Sequence, residues 1–161
     1  MDIREATADD WPAIYPFWSE IVQARETYVY PLGASSDEAR AIWMEQPPGR
    51  TVVAVDGRTI LGSAKMGPNK PGPGSHIATG SFMVSPAAQG RGVGRALGEH
   101  LIAWARAEGY HGIQFNAVVE SNVVAVRLWK SLGFAVMTTI PEAFDSAAHG
   151  LVGLHIMYQK L

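Results

Sequence analysis

Phe82-Met83-Val84-Ser85-Pro86-Ala87-Ala88-Gln89-Gly90-Arg91-Gly92-Val93-Gly94-Arg95 is the stretch that decides how this chain reads. An apolar run ends in a turn signal, three glycines follow at alternate positions, and a helical pattern begins. Strand, glycine-rich turn and helix start in this order leave several backbone N–H groups pointing into one concave space. The helix adds its own unpaired N–H groups and the positive end of its dipole. The combination predicts an anion cradle suited to phosphate or pyrophosphate. Glycine at 90, 92 and 94 lets the backbone approach such a ligand with no Cβ in the way, and Arg91 and Arg95 bring positive charge beside it.

The segment after the cradle supports the helix. Val93, Leu97, Leu101 and Ala105 fall on one stripe with Trp104 beside it, and Gly109 stands where a C-terminal cap belongs. Two other phosphate-binding patterns are excluded. No Lys-Ser or Lys-Thr follows the glycines, as a P-loop requires, and Arg95 occupies the third glycine position of a dinucleotide fingerprint. A second motif lies downstream, Asn122-Val123-Val124-Ala125-Val126-Arg127-Leu128-Trp129-Lys130-Ser131-Leu132-Gly133-Phe134. Asn122 suits an N-cap, Gly133 a C-cap, and Ala125, Leu128, Trp129 and Leu132 form the apolar face of a short helix between them.

Together the two segments resemble the GCN5-related N-acetyltransferase superfamily. Gln89, Gly92 and Gly94 match its Gln/Arg-x-x-Gly-x-Gly/Ala loop. Asn122, Ala125, Leu128, Gly133 and Phe134 match its Asn-x-x-Ala-x-x-Leu-Tyr-x-x-x-Gly-Phe helix. The opening Ile3 to Asp10 also looks like the family's first strand and helix start. Within the superfamily, Glu26-Thr27-Tyr28 before Pro31 resembles the phosphinothricin-type enzymes. Pro68-Asn69 with Pro71-Gly72, Ser75-His76, Phe115-Asn116 and Ser121-Asn122 resembles the fungal enzymes that acetylate proline analogues.

The resemblance implies acetyl transfer from acetyl-CoA (coenzyme A) to the amine of a small amino-acid-like acceptor, by direct attack in a ternary complex. It assigns the cofactor to Met83, Val84, Gln89, Gly90, Arg91, Gly92, Val93, Gly94, Arg95, Asn122, Ala125 and Trp129. Met83 and Val84 would pair with the pantetheine arm as a neighbouring strand does, and Asn122 would bond the same arm. Acceptor contacts fall to Tyr28, Tyr30, His76 and Asn116. A lysine-like amine must lose a proton before attack, at a cost of about 4 to 5 kcal/mol at pH 7, so a base is the more useful catalytic group. Here the chain departs from the family. Trp129 stands where a tyrosine acid is usual, and an indole is no acid. Thr79 stands where many members carry glutamate, and serves at most to order a water. Asn116, which would orient the acceptor, and Glu120, the nearest carboxylate to a strand end, complete the catalytic candidates; His149 flanks a loop. A protein or peptide N-acetyltransferase and a non-catalytic acyl-CoA-binding module remain as alternatives.

Composition agrees with an enzyme of this kind. The 161 residues suffice for one N-acetyltransferase domain over 1–161. Hydrophobic residues make up 47% and charged residues 17%, which predicts a folded core. A formal net charge of -2 offers no basic field for nucleic acid or an acidic membrane. No cysteine is present, which excludes disulfides and a cysteine nucleophile, and no metal site is expected. The acidic residues Asp2, Glu5, Asp9 and Asp10 argue against a signal peptide, and no apolar run approaches a membrane span. A cytoplasmic location follows as the expectation. The resemblance implies a small-molecule amine as partner and allows a homodimer, which the family often forms. The fold expected is α+β, a single mixed, largely antiparallel sheet flanked by helices. Its strands are placed at 2–6, 51–55, 59–66, 76–84, 111–119, 134–140 and 153–159. Along 111–119, Ile113, Phe115 and Ala117 are expected on one face and Gln114, Asn116 and Val118 on the other.

Overall fold

A computed structural model describes all 161 residues. Seven strands form one sheet in the order β1-β2-β3-β4-β5-β7-β6. They are β1 (Asp2–Glu5), β2 (Arg50–Asp56), β3 (Thr59–Pro68), β4 (Ile77–Val84), β5 (Gly112–Val119), β6 (Ala135–Ser146) and β7 (Gly150–Lys160). Four helices flank it: α1 (Trp11–Gln23), α2 (Ser36–Trp43), α3 (Val93–Ala107) and α4 (Val123–Ser131). None is long and apolar enough to cross a membrane.

Period-2 alternation divides the core between the two faces of the sheet. Val53 and Met83 face α1 and α2, where they join Ile14, Trp18 and Trp43. Val52, Ala54 and Ala78 face α3 and α4, where Leu97, Leu101, Phe115 and Trp129 gather. The stripe expected on the third helix is buried throughout: Val93, Leu97, Leu101, Trp104 and Ala105. Ser35 caps α2 in a capping box with Glu38. Asn122 caps α4 by accepting the Ala125 N–H at 3.3 Å. Gly109 and Gly133 follow their helices at φ +80° and +99°, the left-handed geometry that stops a helix.

Two expectations change. The last two strands are longer than their patterns suggest, because β6 passes through a bulge between Ile140 and Phe144, with Glu142 at φ +55°, and continues to Ser146. A second bulge lies in β5 between Phe115 and Val118. It resets the alternation, so Val118 rather than Ala117 joins Ile113 and Phe115 in the core. Asn116 stays exposed.

Only β4 and β5 run parallel, and their ladder is two pairs long, Ile77 with Gly112 and Ala78 with Ile113. Every other neighbouring pair is antiparallel. Beyond Ala78 and Ile113 the two central strands part, which opens the middle of the sheet.

Candidate active site

The gap between the parted strands is the floor of a cavity of about 950 Å³. One end is the glycine turn. Gly90 and Gly92 both lie at φ +77°, a conformation that costs a residue with a Cβ about 1 to 2 kcal/mol. A Cβ at either position meets nothing within 4 Å, so the space above the turn is free for a ligand. The N–H groups of Gly90, Gly92, Val93, Gly94 and Arg95 have no acceptor within the protein. Five unspent donors at the start of a 15-residue helix fit a pyrophosphate, as the sequence suggests.

Charge is arranged less directly than expected. Arg91 does not line the cavity; its guanidinium turns to Asp56 at the end of β2, at 2.7 Å. Arg95 lines it, with its guanidinium held by the Ser131 hydroxyl at 2.8 Å and Glu99 at 3.6 Å. The backbone, rather than arginine side chains, supplies the nearest positive potential.

Along the walls, Gln89, Val93, Gly94, Asn122, Ala125 and Trp129 all reach the cavity. Trp129 is packed into an aromatic cluster, with ring centroids 4.6 Å from Phe82 and 4.9 Å from Phe115. It acts as wall, not acid. Gly98 makes room for it: a Cβ there lies 2.8 Å from Leu132 Cδ1 and 2.9 Å from Trp129 Cζ3. Met83 and Val84 play different parts. Register places the Met83 backbone on the β3 side, opposite Ser63, and its side chain is 1% exposed. Val84 alone of the two offers its backbone to the gap.

The far end of the cavity lies against α1 and the connection to α2. Thr79 and Asn116 line it from the two parted strands, and Tyr28 and Tyr30 from the connection. The Asn116 amide donates to Asn69 Oδ1 at 2.6 Å and accepts from Gln114 Nε2 at 2.9 Å, so three side-chain amides form a chain. Tyr28 and Tyr30 stack at 5.1 Å, and both meet the Trp43 ring edge-on. Two expected residues lie elsewhere. His76 precedes β4 at the opposite end from the glycine turn and faces His111, with ring centroids at 5.5 Å. The Glu120 carboxylate accepts the Gly153 N–H of β7 at 2.9 Å and does not line the cavity.

Three residues here received no site role from the sequence, although Glu26 and Thr27 stood in a quoted motif. The Thr27 hydroxyl is buried at the cavity without any partner, an arrangement that costs about 1 to 3 kcal/mol unless a ligand or water meets it. Ser81, opposite Lys65 in register, receives the Tyr30 hydroxyl at 3.4 Å. Glu26 ties the α1–α2 connection to the β6–β7 hairpin. Its carboxylate accepts from the Ser146 hydroxyl at 2.6 Å and the Ala148 N–H at 2.8 Å. Donation by Ser146 holds its pKa below the usual carboxylate range. Only its position beside Thr27 and Tyr28 signalled it, since its partners lie 120 and 122 residues away.

A family model described as Acetyltransferase (GNAT) family matches residues 7–134. The N-acetyltransferase aca1 of Schizosaccharomyces pombe is 34% identical over 111 residues, 68% of this chain and 53% of that protein. The chain thus spans about half the length of that relative. A GCN5-related N-acetyltransferase from Kribbella flavida is 57% identical with a TM-score of 0.97, over 99% of this chain and 97% of that one. The structure of yncA from Salmonella typhimurium, solved with its cofactor acetyl-CoA, is 27% identical with a TM-score of 0.84, over 100% and 94%.

Proposed function

The chain belongs to the acetyltransferase (GNAT) family, and on that premise we propose that it moves an acetyl group from acetyl-CoA to the amine of a small amino-acid-like acceptor, by direct attack in a ternary complex. The observation that carries the reading is the continuity of one cavity, from five unspent N–H groups at Gly90 to Arg95 to the walled end at Thr27, Tyr28, Thr79 and Asn116. Acetyl-CoA supplies the activated acyl group as a thioester.

The chain's own residues supply binding and orientation. Gly90, Gly92, Val93, Gly94 and Arg95 would hold the pyrophosphate by backbone donors. The Val84 N–H and C=O would take the pantetheine amides as a neighbouring strand takes its own. Trp129, Phe82 and Phe115 wall that arm with apolar rings. At the far end, the Glu26 latch ties the β6–β7 hairpin to the α1–α2 connection, whose Thr27, Tyr28 and Tyr30 wall the acceptor end. Asn116, fixed by Asn69 and Gln114, presents an amide to the acceptor, and Thr79 a hydroxyl, with Thr27 as a further unspent donor. Thr79, which stands where the family's glutamate would, is no base. The acceptor therefore enters through its free-amine fraction, and the rate should rise with pH toward the amine pKa.

The test is thiol release from acetyl-CoA against a panel of amino acids, amino-acid analogues, polyamines and short peptides. Turnover with a small amino-acid-like amine, and none with peptides, is the expected result. Preference for peptides would move the function to a protein N-acetyltransferase. No turnover despite acetyl-CoA binding would refute the acceptor class.

A further inference from the structure

β4 spends alternate backbone groups on its two sides. The Asn69 N–H to Ile77 C=O bond and the Ser85 N–H to Leu61 C=O bond mark the bonded pairs of its ladder with β3 as odd-numbered positions. Ser81 and Met83 therefore turn their N–H and C=O to β3. Gly80, Phe82 and Val84 turn theirs the other way, into the gap that β5 leaves when it departs after Ile113. Phe82 has found a partner there. The Tyr28 hydroxyl accepts from the Phe82 N–H at 2.7 Å and donates to the Phe82 C=O. A side-chain oxygen, from a residue 54 positions away, thus sits on a strand-edge amide inside the cavity wall.

We propose that Tyr28 is a catalytic residue of the acetyl transfer, its hydroxyl oxygen marking in the free enzyme the place where the acyl carbonyl oxygen binds. An oxygen arriving at the Phe82 N–H displaces the phenol oxygen to hydrogen-bonding distance, about 2.7 Å. The hydroxyl hydrogen then turns about its C–O bond from the Phe82 carbonyl onto the newcomer. The carbonyl oxygen is left with two donors, the Phe82 N–H and the Tyr28 O–H, aimed at the charge that grows there as the amine adds. The amine nitrogen bonds to the carbonyl carbon, and the carbon–sulfur bond breaks with its electron pair leaving on sulfur. The proton shed by nitrogen is the one the thiolate takes up, so Tyr28 donates a hydrogen bond and keeps its own proton.

Three further features suit this part. Stacking on Tyr30 at 5.1 Å and edge contact with Trp43 at 6.4 Å keep the Tyr28 ring beside the Phe82 edge, so the displaced oxygen stays within hydrogen-bonding reach of the newcomer. Burial, reinforced by Tyr30, raises the Tyr28 pKa against the opposing bond to Phe82, which keeps the phenol a neutral donor. Trp129, where a tyrosine would stand in relatives of the pattern, has no hydroxyl to offer, and its ring lies on the Phe82 side chain.

The inference rests on the acetyl-transfer reading, and one set of measurements separates the two. Tyr28→Phe keeps the ring and removes the donor. It should lower kcat by about 10²-fold, the usual effect of losing one such donor, with acetyl-CoA affinity by calorimetry essentially unchanged. Isotope-edited infrared spectra of bound acetyl-CoA, labelled with ¹³C at the carbonyl, should show its stretch at lower wavenumber than in solution, and Tyr28→Phe should return it partway. A kcat and a band both insensitive to the substitution overturn the role of Tyr28. Should the variant fail to fold, 3-fluorotyrosine at position 28, a stronger donor, must move the band further down, and an unmoved band again overturns it. If wild-type protein shows no bound acetyl-CoA at all, the acetyl-transfer reading itself falls.

Discussion

At the scale of the residue, Gly92 shows how a local conformation serves a ligand. Gly92 takes φ +77° and leaves its Cβ direction open above the turn. Gly92→Val adds both backbone strain and bulk where a phosphate would lie. Losing one or two hydrogen bonds to a charged group costs about 1.5 to 3 kcal/mol each, so calorimetry should show acetyl-CoA affinity falling by about 10- to 100-fold or more. Unchanged affinity would refute the cradle. Asp10 illustrates the opposite case, a polar group whose work is structural. Its carboxylate receives both Arg4 guanidinium nitrogens at 2.8 Å and the Thr7 N–H at 2.7 Å, which pins β1 to the entry of α1. The Arg4 bond, with help from Thr7, lowers its pKa to about 2 from the ordinary 3.8. A carboxylate whose folded pKa is depressed stabilises the fold above its unfolded pKa and loses that contribution as pH falls toward the folded one. Asp10→Asn should therefore lower Tm at pH 7 by several degrees, on the order of 1 to 2 kcal/mol, and the difference from wild type should shrink as pH falls from 4 to 2.

At the scale of the element, the helices and their ends were the most legible part of the sequence. Asn122, Gly109 and Gly133 punctuate the chain by chemistry that acts within a few residues. The strand ends of β6 and the reset face of β5 were not legible, because a bulge is decided by the partner strand rather than by its own sequence. The site divides in the same way. The glycine cradle could be read directly, since a contiguous motif builds it. The placement of Glu120 and His76 away from the cavity was not legible, because it depends on how β5, β7 and the loop before β4 pack. Tyr28 stood in view as an aromatic, but its bond to Phe82 spans 54 residues and no local rule announces it. The α3–α4 contact was also invisible, and it is testable. A valine at Gly98 would meet Leu132 and Trp129 at under 3 Å, so Gly98→Val should cost about 1 to 3 kcal/mol in chemical denaturation. A neutral result would mean that α4 shifts freely on α3.

At the scale of the whole molecule, two antiparallel sub-sheets meet along a seam. β1 to β4 form one, and β5, β7 and β6 the other, with two register pairs of parallel ladder between them. The rest of the junction is carried by the helices and by such ties as the Glu26 latch. Such a seam is where cooperative units separate first, so amide hydrogens of Gly80 and Val84 should exchange ahead of those of β2 and β3. Whatever fills the gap therefore acts as a suture as well as a reactant. By mass action, acetyl-CoA at a hundred times its Kd adds about 2.7 kcal/mol to the folded state, which for a domain of this size is a rise of roughly 5 to 10 °C in Tm. The chemistry and the mechanical integrity of the sheet would then share one set of contacts. Each turnover, in releasing its product, would briefly return the protein to its least stitched form.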